Sequence, residues 1–113
     1  MALKAGESNK TFRYATGYDM SSNTSLSLHF TDPSGVSSTI DSSGGRVTAP
    51  VAGVTDPDIG ALSANEFMEF DTVATDFTVA GTWTVCGTYT NTATTPDTIY
   101  IGDTATFTVD AVC

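Results

Sequence analysis

Short runs in which apolar and polar residues alternate, broken by clusters of turn formers about every 8–15 residues, run along most of this chain. In residues 11–16, Phe12 and Tyr14 share one face and Arg13 takes the other. Residues 24–31 are the clearest half-buried strand, with Leu26, Leu28 and Phe30 inward. That strand stops at Asp32-Pro33-Ser34-Gly35, where proline presets φ at the second turn position and glycine tolerates positive φ. Residues 36–40 form the returning strand, 41–45 a second turn, and 46–49 resume extension.

Residues 49–64 hold no steady period and contain Pro50, Pro57, Gly53 and Gly60, so they are expected to be an irregular excursion at one end of the domain. Residues 66–70 regain strand character. Ser63 and Glu66 fit a helix-capping spacing, but the sequence after Phe70 allows a single helical turn at most. Residues 82–90 alternate again, with Trp83, Val85 and Tyr89 on one face and threonines with Cys86 on the other. After a polar loop at 91–97, Thr98 opens a last strand that Gly102-Asp103 is expected to bulge, with Ala105, Phe107 and Val109 continuing inward. About seven or eight short strands and no helical period point to an all-β, two-sheet antiparallel sandwich. Its expected core is Phe12, Leu26, Leu28, Phe30, Trp83, Val85, Tyr89 and Phe107.

Composition narrows the picture. The length of 113 residues suits one domain spanning 1–113, large enough for a single core. Thr (21) and Ser (11) dominate while Lys, Glu and Leu are scarce, which is the composition of strands and turns. A net charge of −9 argues against nucleic acid, whose phosphates need a basic groove, and against anionic membrane surfaces. With 40% apolar residues the chain is too hydrophobic to be disordered. No stretch approaches the roughly 20 apolar residues of a membrane span. The first ten residues lack the apolar stretch of a signal peptide, so export is not expected. The charge is uneven: residues 1–13 carry Lys4, Lys10 and Arg13 against Glu7, whereas beyond them Arg46 stands against twelve acids.

Catalytic chemistry finds little support. His29 is the sole histidine and alternates with Leu28 and Phe30, which turns it outward, away from any nucleophile motif. One histidine and the distant Cys86 and Cys113 do not make a zinc site. A hairpin of the last two strands would hold the two cysteines well over 15 Å apart, beyond the roughly 5.5 Å Cα spacing of a disulfide. Asp56 and Asp58 flank Pro57 but lack the later ligands of a calcium loop. Neither a cofactor nor enzymatic activity is expected.

Certain residues carry a family likeness. They are Lys4-Ala5-Gly6-Glu7, Phe12-x-Tyr14, Tyr18-Asp19-Met20-Ser21, and the 26–35 strand and turn. The closing Ala80-Gly81-Thr82-Trp83 and Tyr100-Ile101-Gly102-Asp103-x-Ala105-x-Phe107-x-Val109 complete the set. In this layout the chain resembles the small immunoglobulin-like proteins of tailed bacteriophages and the amino-terminal modules of baseplate upper proteins. Residues 49–64 depart from that likeness as an insertion. The resemblance implies an immunoglobulin-like sandwich and a structural virion role, attached in multiple copies to capsid, tail or baseplate. Its partners would be other virion proteins or copies of itself. The alternative is an adhesion module for host glycans or surface protein. Attachment is expected through two segments. Residues 1–13, a possible arm and edge strand, would present Lys4, Lys10 and Arg13. The 49–64 excursion would present Pro50, Asp56, Pro57 and Asp58.

Overall fold

The computed structural model describes residues 3–112, and their regular structure is β-strand apart from one 3₁₀ turn at Ser43–Gly45. The strands are β1 (Leu3–Lys4), β2 (Thr11–Ala15), β3 (Ser25–Thr31), β4 (Ser37–Asp41), β5 (Val54–Asp56), β6 (Gly60–Leu62), β7 (Phe67–Asp71), β8 (Gly81–Asn91), β9 (Thr98–Ile101) and β10 (Ala105–Asp110). The larger sheet runs β1-β10-β8-β3-β4, and β9 also pairs with β8. All its pairings are antiparallel except β1 with β10, which is parallel. A second sheet pairs β2 with β7, and β5 with β6 forms a separate hairpin.

Aromatic side chains join the two sheets. The Phe12 ring of β2 lies 5.4 Å from Phe30 of β3 and 4.9 Å from Phe107 of β10, both edge-on. Phe77, in the loop before β8, adds contacts to Phe12, Phe30, Phe107 and Trp83. Offset and edge-to-face pairs of this kind stabilise a core beyond the area they bury. The arrangement is sandwich-like, with the core between the facing sheets. Phe12, Leu26, Leu28, Phe30, Trp83, Val85 and Tyr89 are buried, and half-buried Phe107 packs against them. The Trp83 indole N–H is satisfied by the Val79 carbonyl at 2.8 Å.

The Asp32-Pro33-Ser34-Gly35 turn is closed by Gly35 N–H donating to the Asp32 carbonyl, and the Asp32 carboxylate accepts from the Ser34 and Val36 amides. Further along, β9 and β10 are two halves of one line along β8. Thr88 faces Ile101 and Val85 faces Ala105, so two residues of β8 oppose the three residues 102–104. One extra residue is a bulge, in the place that Gly102-Asp103 predicted.

Other expectations need correcting. Ala105 is exposed rather than inward, because its side of β10 borders an open groove instead of a covering strand. Residues 49–64 are not wholly irregular. They contain the β5–β6 hairpin, whose three-residue strands are too short to register as a period in the sequence. Residues 63–66 form a turn with Asn65 at φ +62°, and no helix follows it. The start of the chain is no free arm over its described part, since Leu3 is 1% exposed and sits in the large sheet opposite Val109. Cys86 is a half-buried free thiol that donates to the Gly102 carbonyl at 3.1 Å. Cys113, and so the spacing between the two cysteines, lies outside the described residues.

Candidate attachment surface

β2 exposes one of its edges, because among the described residues it pairs only with β7. Alternation along β2 sends Phe12 and Tyr14 into the core and turns Arg13 outward, opposite Glu69 of β7. The 49–64 excursion folds towards that outer face. There Arg13 Nη1 meets Asp56 Oδ2 at 3.1 Å and Arg13 Nε meets Glu69 Oε2 at 3.1 Å. Burial opposes the guanidinium charge, but hydrogen bonds and attraction from Asp56 and Glu69 outweigh it and raise the Arg13 pKa. Asp56 is buried and fully occupied, since its other oxygen accepts the amides of Asp58 (2.9 Å) and Ile59 (3.1 Å). One carboxylate thus builds the hairpin turn and fastens it to β2.

Beside this ion pair lies a cavity of about 370 Å³. Phe12, Tyr14, Val85 and Phe107 contribute apolar lining, and Asp56, Asp58 and Asp103 contribute acids. Two segments that the sequence nominated separately therefore meet, for Arg13, Asp56 and Asp58 line one groove. The remaining candidates lie elsewhere. Lys10 Nζ is 3.5 Å from Glu7, and the backbone N–H of Lys4 donates to the same carboxylate at 2.6 Å. The Pro50 carbonyl accepts the Asn65 amide at the base of the excursion, and Pro57 stands exposed in the hairpin turn. Among the described residues, two of the three cations of residues 1–13, Lys10 and above all Arg13, are thus ion-paired within the chain.

Two participants were not foreseen. Glu69 becomes visible only once β2 and β7 are paired in register, which no local pattern specifies. Ile59 lines the groove yet stays 47% exposed at the hairpin tip. Phe67 of β7 and Leu62 of β6 are both buried outside the main core cluster. The excursion therefore contributes a buried apolar side chain, Leu62, as well as the Asp56 ion pair.

Elsewhere, His29 lies on the outer face of the large sheet between Thr39 (3.2 Å) and Thr88 (3.0 Å), bridging β4 and β8. Tyr18 stacks on Tyr100 at 4.6 Å and tilts against Tyr89 at 5.4 Å. Among the described residues, no three His, Cys, Asp or Glu side chains converge on a metal-sized site. In comparison with known proteins, no family model, no curated protein and no solved structure matches the chain.

Proposed function

We propose that this chain is an immunoglobulin-like module serving as a non-enzymatic structural component of a tailed-phage virion, attached in multiple copies to the capsid or tail surface. The observation that carries the reading is the strand order. A β10-β8-β3-β4 sheet with a β2-β7 pair is the order expected of the GFCC′ and BE parts of a variable-type immunoglobulin sandwich, which supports that reading. The short β1 lies beside the last strand. The surface features agree with a domain that works by presenting shape. An aromatic core supports an anchored hairpin whose exposed tip carries Ile59, and Val51 stands exposed at the base of the same excursion, at 47% and 85% exposure.

The adhesion alternative would need aromatic faces open to a sugar. Among the described residues, Tyr18 packs its ring against Tyr89 and Tyr100 and is 37% exposed, a single part-open ring rather than a platform, which favours the attachment reading. Electron microscopy of intact particles made with Val51→Asp/Ile59→Asp is the test. Density for the module at regular positions in wild type, with occupancy lost in a still-folded variant, is expected. Particles that never contain the chain would overturn the reading.

A further inference from the structure

β9 is an edge strand whose other side, among the described residues, pairs with nothing. Its outer face carries Ile99 and Ile101, 61% and 69% exposed, two large apolar side chains two residues apart on one short strand. An edge kept only from aggregating would place charge or proline there rather than isoleucine. Acids stand instead at the two ends, Asp97 before the strand and Asp103 after it, both exposed.

That spacing disfavours a second copy as the occupant. Antiparallel pairing of two β9 edges about Tyr100 would set Ile99 against Ile101, but it would also set Asp97 against Asp103 at both ends. Directly opposed like charges destabilise a strand pair, and a net charge of −9 on each copy adds to the repulsion. A strand with the opposite end charges would gain from the same geometry.

We propose that the free edge of β9 docks an extended segment of a different protein by strand addition. This segment has apolar residues at alternate positions over Ile99 and Ile101, and a lysine or arginine at each end facing Asp97 and Asp103. Main-chain hydrogen bonds to β9 supply binding, and the isoleucines and end acids supply selectivity. The inference concerns the chemistry of this edge and holds whatever particle the chain belongs to, so its failure is separable from that of the virion reading.

The test titrates the whole chain, labelled for NMR, with acetyl-Lys-Thr-Val-Thr-Val-Thr-Lys-amide and with the same peptide bearing Glu in place of both Lys. The lysine peptide is expected to bind at least three-fold more tightly than the glutamate one. Its amide shifts should centre on Thr98–Ile101, and the preference should shrink as salt rises. Ile99→Thr/Ile101→Thr, at exposed positions, should keep the thermal midpoint within a few degrees and lose most of the binding. Equal or reversed preference, shifts centred elsewhere, or no binding by either peptide at millimolar concentration would each overturn the proposal. So would sedimentation showing that the chain dimerises and that the isoleucine variant abolishes the dimer.

Discussion

Tyr14 and Gly102 are fitted to each other: the tyrosine hydroxyl, with the ring edge behind it, occupies the space that a β-carbon on the bulge glycine would take. The same hydroxyl donates to the Asp103 carbonyl at 2.5 Å. The same ring lies over Gly87 of β8, where an added β-carbon would approach Tyr14 Cε1 to 2.6 Å. One side chain from β2 thereby packs against both the β9–β10 bulge and the facing part of β8. Gly102→Ala should destabilise the fold by roughly 1–3 kcal/mol, the usual cost of overpacking. In urea melts the loss should be smaller in a Tyr14→Ala background, because neighbouring changes couple. Equal losses in both backgrounds would mean that the ring does not set the constraint.

Tyr14 also predicts an alkaline weakness. Burial raises its pKa above the ordinary value of about 10, so the folded state holds the phenol neutral where the unfolded chain would ionise. The sign follows from linkage. The contribution is complete below pH ~10 and is lost as pH rises from there through the raised folded-state value. Tyr14→Phe should be less stable by about 0.5–1.5 kcal/mol at pH 7 for want of the hydrogen bond to Asp103. Its stability should then fall less steeply than wild type between pH 9.5 and 11.5. Parallel curves would remove Tyr14 as the cause.

Leu3 sets a limit on what can be trimmed from the start of the chain. It is 1% exposed and belongs to the main hydrophobic cluster, although it comes from a strand of only two residues. Leu3→Ala should cost about 2–5 kcal/mol, and loss of residues 1–4 at least as much. A truncated chain with an unchanged denaturation midpoint would show that β1 is dispensable.

Alternation identified the strands that matter most. The phases of 24–31 and 82–90 put Leu26, Leu28, Phe30, Trp83, Val85 and Tyr89 on the buried side, as they are found. Pattern failed where a strand is too short or a side chain is buried from a loop. β1 and the β5–β6 hairpin offer two or three residues each, and Met20 and Phe77 are buried without belonging to any strand. Phe67 and Met68 are adjacent and both fully buried, so β7 is covered on both faces, which one-sided alternation does not anticipate. At the candidate surface, residues 56–58, expected within an irregular excursion, instead turn a short hairpin. That the turn reaches Arg13 depends on a contact across 43 residues, which local periodicity does not encode.

Asp56 offers the sharpest test of that surface, because it joins the hairpin turn to β2. Asp56→Ala removes the acceptor of two turn amides and one partner of Arg13, whereas Arg13→Ala leaves the turn amides satisfied and strips two carboxylates of their cation. Each loss should fall at roughly 1–3 kcal/mol, the range for disrupting a partly buried charged hydrogen bond. The double variant should cost less than the sum, since both changes remove the same 3.1 Å contact. The two single variants should differ in where they loosen the molecule. In Asp56→Ala, hydrogen exchange should quicken at the amides of Asp58 and Ile59, while in Arg13→Ala those amides should stay protected. If both amides remain protected without Asp56, the turn is held by the β5–β6 pairing and the burial of Leu62, and the ion pair is only a surface fastening.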